Sequence, residues 1–139
     1  MTARELFATA RVAHLATAGP DGPHVVPIVF ALAGDTLYHA VDHKPKRTMA
    51  LKRLENLRAD PRASVLADHY DEDWTRLWWA RADGTARILE PGHAEALALL
   101  AERYPQYRAQ PPQGPVIALD VTRWSAWEAR RDAQSASGR

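Results

Sequence analysis

The stretch RVAHLATAGPDGPHVVPIVFALAGDTLYHAVD, residues 11–42, decides the fold of this chain. It contains three apolar segments, at residues 11–17, 24–32 and 37–42, whose length and composition predict β-strands. The turns between them, AGPDGP and AGDT, hold the Gly, Pro and Asp residues that favour tight reversals of the chain. Strands joined by such short turns pair with one another, so the stretch predicts an antiparallel meander.

Prolines mark the boundaries of several other elements. Pro27 has no N–H group for a hydrogen-bond ladder, so the second strand is expected at an edge of the sheet. Pro45 suits the first turn of a helix, which should end near the RADPR segment because a residue before proline avoids the helical region. The remaining predicted elements are helices at residues 3–10 and 91–105 and strands at residues 63–70, 76–89 and 116–129, where 76–89 is one long strand or a hairpin around ADGT.

These elements predict a mainly β, α+β fold of about six antiparallel strands with two or three helices. Closing such a sheet into a small barrel removes its exposed edges, so a closed barrel is the expected architecture. The length of 139 residues suggests one domain spanning residues 1–139. Its small, polar tail, from about residue 130 to 139, is expected to be frayed.

The composition limits the classes of protein that fit. There are no cysteines, which excludes disulfides and thiolate metal sites and fits a reducing cytoplasm. The six histidines show no metal-binding spacing, so no metal site is expected. The N-terminus resembles no signal peptide, and no stretch is apolar enough to span a membrane. A net charge of +1 argues against a general nucleic-acid binder.

A basic stretch, HKPKRTMALKRL at residues 43–54, stands out in this nearly neutral chain. It can be a solvated helix face, but it lacks the interleaved acids that make such a face self-compensating. Cations at a helix N-terminus oppose the helix dipole unless an anion meets them there. The stretch therefore predicts a phosphate or carboxylate site, made by Lys44, Lys46, Arg47 and Thr48, with Lys52 and Arg53 as less certain contributors.

Four segments in order carry a family resemblance that covers about Arg4 to Ala129. They are GPDGPHVVPIVF, the basic turn, ENLRADPRASVLADHY with its NLRADPRASVLAD core, and DHYDEDWTRLWWARADGTARIL followed by the closing TRWSAWEA. Together they resemble the pyridoxamine 5'-phosphate oxidase-like family, and more closely its actinobacterial branch, which uses the deazaflavin coenzyme F420. The basic turn departs from the more compact Arg-x-Lys pattern of the better-known branch.

The resemblance implies a split β-barrel and a homodimer with two cofactor sites at its interface. It implies that the turn after the third strand binds the cofactor phosphate, together with the end of that strand at His39, Ala40 and Val41. F420 carries a phosphate and a polyglutamate tail, so the five cations suit it, although they do not exclude FMN. The ring would lie along the second strand, at Val26, Pro27 and Ile28.

Two aromatic residues, Trp78 and Trp79, are further candidates for contact with the cofactor. Core packing is the simpler interpretation of their size. In an alternating strand they point to opposite faces, so one is expected inside the barrel and the other against a partner or a ring. The adjoining acidic loop at residues 71–73 is a solvated turn, a border of the substrate pocket or a partner of the basic turn across the interface.

The first functional hypothesis is an F420-dependent oxidoreductase that transfers a hydride between the deazaflavin and a small unsaturated or carbonyl substrate. No residue is predicted to be a catalytic acid or base, although His69 or Tyr70 could supply a proton. Three alternatives stay open at this point. They are an FMN-dependent oxidase or reductase, a protein that binds flavin or F420 without turnover, and a nucleic-acid-binding barrel.

Overall fold

The computed structural model describes residues 1–41 and 47–129, and for residues 47–51 the backbone alone. The expected frayed tail at residues 130–139 lies outside the described residues. The helices are α1 (Ala3–Thr9), α2 (Arg47–Ala59), α3 (Ala94–Arg103) and α4 (Pro105–Ala109), with a 3-10 turn at Trp74–Arg76. The strands are β1 (Ala13–Gly19), β2 (Gly22–Ile28), β3 (Ala31–Ala33), β4 (Thr36–Ala40), β5 (Arg62–His69), β6 (Trp78–Leu89) and β7 (Val116–Glu128).

The described strands form one antiparallel sheet in the order β2-β1-β5-β6-β7-β4-β3. The prediction of about six strands missed one, because the apolar segment at residues 24–32 forms two strands, β2 and β3. The predicted helix at 91–105 was also incomplete: α3 ends at Arg103 and Pro105 starts α4. Proline fits this first helical position because its missing N–H group has no partner there in any helix.

The connection between β2 and β3 curls the sheet into a split barrel. These two strands lie at opposite edges of the sheet, yet only Val29 and Phe30 join them. A residue spans at most about 3.6 Å, so the sheet must curl until its two edges come close. The edges do not pair, and the expectation of a fully closed sheet was therefore wrong: the barrel is open along a seam at Val29 and Phe30. Pro27 lies on edge strand β2, as predicted.

Side chains supply the hydrogen bonds that a closed ladder would have given to the seam. The Phe30 N–H donates to the Tyr104 hydroxyl at 3.2 Å, and that hydroxyl lies 3.1 Å from the Phe30 carbonyl oxygen. The Val29 carbonyl oxygen lies 3.2 Å from Nδ1 of His39. Buried backbone groups without hydrogen bonds destabilise a fold. These two side chains supply the missing partners and so allow the seam to stay open inside the folded core.

The main hydrophobic core fills the barrel, and α1 and α2 cover it. Phe7 of α1 packs edge-on against Phe30 with ring centroids 5.6 Å apart. Thr2 caps α1 as predicted, because its side chain accepts from Glu5 N–H. A second cluster lies between α3 and the outside of β3, β4 and β7, around Leu100 and Tyr104. No helix in residues 1–41 and 47–129 combines the length and apolar character needed to cross a membrane.

Strand β6 is one long strand, which settles the alternative between a strand and a hairpin at residues 76–89. Its register against β7 shifts between Asp83 and Gly84, where Thr122 of β7 is the extra residue of a β-bulge. At Gly84 an added Cβ would lie 2.1 Å from the Asp120 carbonyl oxygen of β7. The bulge therefore brings two backbones too close for any side chain, which explains the glycine of the ADGT segment.

One face of the sheet stays open to solvent and is partly apolar. Pairing register places alternate residues of β2, β1, β5, β6 and β7 on this face. Val25 is 61% exposed, Leu66 38% and Trp127 37%. We call five apolar residues of this face the outer apolar face: Val25, Pro27, Leu66, Trp79 and Trp127.

Candidate functional site

The candidate site begins at the end of β4, where His39 points toward the main core. His39 is only 6% exposed. Its Nδ1 lies 3.2 Å from the Val29 carbonyl oxygen at the seam. Burial, and secondarily the nearby charge of Arg53, lowers the pKa of His39 from 6.5 to about 3. The imidazole is therefore neutral at every pH at which the protein is expected to work.

Arg53 of α2 meets this imidazole. Leu54 and Leu57 of the same helix are buried in the main core, which fixes the orientation of α2 and leaves Arg53 half-buried beside β4. Nη1 of Arg53 contacts Nε2 of His39. A guanidinium group has donors and no acceptor, so Nε2 of His39 must accept this hydrogen bond.

Arg53 carries a charge that no acid neutralises within the described part of the chain. None of the ion pairs among those residues includes Arg53, and burial lowers the pKa of its guanidinium group. Its Nε atom is buried and has no hydrogen-bond partner among the described residues. A buried donor without a partner is costly, so this group is suited to meet an anionic ligand.

The neighbouring cation, Lys52, differs from Arg53. Its ammonium group pairs with the carboxylate of Asp21, in the turn between β1 and β2. This pairing lowers the pKa of Asp21 through the hydrogen bond and the charge of Lys52. The charge of Lys52 is thus already paired with a carboxylate of the chain. Arg53 remains as the cation of the basic stretch, among the described side chains, that is available to an anion.

Four other predicted members of the anion site cannot be placed as fully. Lys44 and Lys46 lie outside the described residues. Arg47 and Thr48 form the first turn of α2, described for the backbone alone. The predicted helix within the basic stretch is confirmed as α2, but Pro45, predicted in its first turn, lies outside the described residues. The contribution of these four side chains to an anion site stays a prediction.

The residues predicted along the ring and at the end of β4 are mostly turned inward. Val26 and Ile28 are buried in the main core, and Pro27 between them is exposed. Ala40 and Val41 are buried too, and the Val41 N–H donates to the Pro115 carbonyl oxygen at 2.9 Å. At these positions a ligand could therefore meet Pro27 or backbone groups, but not the four inward side chains; their role in cofactor binding stays a prediction.

Trp78 and Trp79 point to opposite faces of β6, as predicted. Trp78 packs against the main core and stacks on His69, with ring centroids 6.2 Å apart and an interplanar angle of 19°. The rings of Trp78 and His69 both line a cleft of about 560 Å³. Trp79 belongs to the outer apolar face and pairs in register with Trp127. Neither tryptophan is brought next to Arg53 by hydrogen bonding or ring contact among the described residues.

The acidic loop forms a compact turn. Asp71 Oδ1 accepts from Asp73 N–H at 2.8 Å, and Asp73 Oδ1 accepts from Thr75 N–H at 3.1 Å. Asp71 also lies 3.7 Å from His69 Nε2. Asp71 and Asp73 thus shape the 3-10 turn before β6, and the exposure of Glu72 and Asp73 agrees with the interpretation of this loop as a solvated turn.

Comparison with known proteins identifies the family. A family model for pyridoxamine 5'-phosphate oxidase matches residues 2–128. The chain belongs to the pyridoxamine 5'-phosphate oxidase family. The family resemblance found in the sequence is thereby confirmed, and so is the split barrel. No curated protein matches the sequence.

Solved structures of the same fold belong to proteins with different functions. A conserved hypothetical protein, Rv2991 from Mycobacterium tuberculosis, is 24% identical with a TM-score of 0.72, covering 93% of this chain and 84% of its own. An F420 reductase is 24% identical with a TM-score of 0.66, covering 88% and 94%. An FAD-binding protein from Mesorhizobium loti is 21% identical with a TM-score of 0.66, covering 89% and 90%. Heme-binding proteins share the fold as well.

Sequence reasoning missed three contacts that shape this family member. It did not pair His39 with Arg53, and it did not anticipate the Tyr104 hydroxyl at the seam. It also missed the buried Asn56, whose Nδ2 donates to Thr17 Oγ1 at 3.1 Å and thereby ties α2 to β1. The one available signal was a polar residue, Asn56, two positions after Leu54 and one before Leu57 on the buried side of a helix.

Proposed function

We propose that this protein is an F420-dependent oxidoreductase that acts on a small unsaturated or carbonyl substrate. The observation that carries the proposal is Arg53, a half-buried cation with a buried, unpartnered Nε and no acidic partner among the described residues. Arg53 lies on α2 and contacts His39 of β4, in a chain of the pyridoxamine 5'-phosphate oxidase family. A phosphate group supplies both the negative charge and the acceptor that this guanidinium group lacks.

The basic stretch supports F420 over FMN. Lys44, Lys46 and Arg47 add three cations near Arg53 in sequence, with no acid among residues 43–54. FMN has one terminal phosphate, whereas F420 continues beyond its phosphate into a chain of carboxylates. An F420 reductase of the same fold adds support, although at 24% identity it supports the fold more than the cofactor.

The bound deazaflavin would supply the hydride chemistry, and the chain's own residues would bind and orient it. Arg53 and the cations of the basic stretch would hold the phosphate and tail. Pro27 would present an exposed surface without an N–H group to the ring, while the backbone at Val26 and Ile28 would flank it. His69 and Tyr70, at the end of β5, are the candidates for a proton source in the substrate pocket.

We further propose a homodimer with two cofactor sites at its interface. The outer apolar face supports this proposal, because Val25, Leu66 and Trp127 would be covered by a second copy. The proposed ring contact at Pro27 lies on this same face. A cytoplasmic location, inferred from the absence of cysteine, belongs to the same proposal.

A flavin-based function is the second candidate. The family is that of pyridoxamine 5'-phosphate oxidase, and an FAD-binding protein has the same fold. Binding without turnover is also compatible with the fold, since a heme storage protein from Vibrio cholerae adopts it. These candidates share the anion site with the main proposal and differ from it in the cofactor or in turnover.

Consumption of reduced F420 by the purified protein tests the proposed activity. A panel of small enones, quinones and carbonyl compounds serves as acceptors, and the loss of the reduced deazaflavin is followed spectroscopically. We expect acceptor-dependent oxidation that Arg53→Ala lowers and Arg58→Ala, an exposed position on the same helix, leaves intact. Tight F420 binding with no oxidation across the panel would favour the non-catalytic alternative.

A further inference from the structure

We infer that His39 is a positioning residue that holds Arg53, with its charge unneutralised, for the phosphate of the proposed cofactor. The inference rests on the proposed function for the identity of the anion. Its structural part concerns only His39, Arg53 and Val29, whose contacts the structure describes. It differs from the expectation that His39 itself meets the phosphate, because both ring nitrogens of His39 are engaged within the chain.

One tautomer of His39 satisfies both contacts. Arg53 can only donate, so Nε2 of His39 must carry the lone pair. The ring proton then lies on Nδ1, where the Val29 carbonyl oxygen accepts it at 3.2 Å. A second proton on Nε2 would place two donors and two positive charges against each other. Burial and the charge of Arg53 both disfavour that proton, which keeps the acceptor available to Arg53.

A neutral partner orients a cation without cancelling its charge. Two other described arginines are held by carboxylates: Arg62 by Asp60 at 2.8 Å, and Arg87 by Asp120 at 2.6 Å. Those pairs fix the side chains but leave little charge for a ligand. The pairing of Arg53 with an imidazole instead leaves its full charge available, and its Nε has no partner among the described residues. Such an arrangement costs stability in the free protein and suits a site that waits for an anion.

His39 also links the cation to the strand proposed to contact the ring. Val29, which accepts from Nδ1, directly follows Ile28 at the end of β2. The imidazole of His39 therefore joins the connection between β2 and β3 to the guanidinium group on α2. A ligand with a ring at one end and a phosphate along its tail requires these two contact points at a fixed separation. His39 sets that separation through two hydrogen bonds.

Paired ligands measure the contribution of the phosphate directly. The phosphate preference is the ratio of the dissociation constant of riboflavin to that of FMN, two ligands that differ only in the terminal phosphate. For F420 the matching ratio uses the deazaflavin with its ribitol chain alone, which lacks both the phosphate and the carboxylate tail beyond it. We expect Arg53→Ala to lower this ratio about 10- to 100-fold, the range for a charged hydrogen bond. His39→Leu, which removes the acceptor, should lower it about 3- to 10-fold. His39→Gln, which keeps an acceptor oxygen, should restore most of it, and Arg58→Ala is the matched charge control.

The outcomes separate this inference from the proposed function. If His39→Leu retains the phosphate preference that Arg53→Ala loses, or if His39→Leu weakens both members of a ligand pair equally, the positioning role is overturned. If the wild type binds neither F420 nor FMN, inorganic pyrophosphate is used as the ligand. If wild type, Arg53→Ala and His39→Leu rank in the same order by their affinity for pyrophosphate, the proposed function is contradicted and the role of His39 is supported. If the wild type binds no anion, both are overturned.

Nitrogen NMR of the wild type covers the case in which His39→Leu does not fold. The ring of His39 should carry its proton on Nδ1 and none on Nε2, and the Nε2 resonance should shift in Arg53→Ala while Arg58→Ala leaves it unchanged. A proton on Nε2 would contradict the assigned hydrogen bond and overturn the inference without any ligand present.

Discussion

The hydroxyl group of Tyr104 accepts a hydrogen bond from the Phe30 N–H at 3.2 Å, although 74 residues separate them in sequence. It also lies 3.0 Å from the Arg11 carbonyl oxygen. Tyr104 is held between the guanidinium groups of Arg11 and Arg103, which lie 4.8 and 5.4 Å from its ring centroid. One side chain at the end of α3 thus joins the segment between α1 and β1, the seam and the start of α4.

Tyr104→Phe is expected to lower the free energy of unfolding by about 1–3 kcal/mol, because it leaves the buried Phe30 N–H without its partner. Urea unfolding followed by tryptophan fluorescence measures this change. Tyr70→Phe removes a hydroxyl from an exposed tyrosine and should change stability by less than about 0.5 kcal/mol. Equal effects of the two substitutions would mean that Tyr104 has no special role at the seam.

Gly84→Ala is expected to destabilise the protein by more than about 2 kcal/mol, because overpacking here involves backbone rather than a flexible side chain. The added Cβ would lie 2.1 Å from the Asp120 carbonyl oxygen, so β6 and β7 would have to separate at the bulge. Thermal unfolding compared with Thr85→Ala, at the adjacent exposed position, measures the effect. A Gly84→Ala protein as stable as wild type would show that the two strands are further apart.

His39 should make stability depend on pH in a defined direction. Its pKa is about 3 in the folded protein and 6.5 for an unperturbed histidine, so the unfolded chain binds more protons between these two pH values. The stabilisation is therefore fully present above pH 6.5 and is lost as the pH falls toward 3. Between pH 7 and pH 5 the expected loss is about 2 kcal/mol.

The comparison between wild type and His39→Gln isolates the pH-dependent stabilisation that comes from His39. The carboxylates with lowered pKa also make stability depend on pH, but they are common to both proteins and cancel in the comparison. The difference in their free energies of unfolding should change by about 2 kcal/mol between pH 7 and pH 5. A constant difference across that range would show that His39 titrates normally and is not held neutral by burial and Arg53.

Leu66→Arg is expected to convert the proposed homodimer into a monomer, because it places a charge in the centre of the outer apolar face. Sedimentation velocity measures the change. Ala98→Arg, on the exposed side of α3, adds the same charge elsewhere and should leave the dimer intact. A wild-type protein that sediments as a monomer would contradict the proposed interface.

The sequence was most informative where a local rule has one outcome. Pro27 could not supply a ladder hydrogen bond, and it lies on an edge strand as predicted. Trp78 and Trp79 had to alternate if they lay on a strand, and they do. Thr2 had the side chain for a helix cap and makes that bond. In each case the prediction depended on one residue and its nearest neighbours.

The missed features depend on contacts between distant segments. The apolar run at residues 24–32 gives no sign of the break at Val29 and Phe30. The break arises because the chain crosses there from one edge of the sheet to the other, which local sequence does not show. The pairing of His39 with Arg53 spans 14 residues and follows from how α2 packs beside β4. Charge density singled out the basic stretch that contains Arg53, but it could not show that Asp21 pairs with Lys52 while no acid among the described residues pairs with Arg53.

A parallel titration with F420 and with FMN tests the central claim most directly. The protein has five tryptophans, and quenching of their fluorescence reports binding of either ligand. We predict that F420 binds at least about tenfold more tightly than FMN, a difference of about 1.4 kcal/mol. Tighter binding of FMN would make this a flavoprotein, and binding of neither would contradict the assignment of Arg53 to a cofactor phosphate.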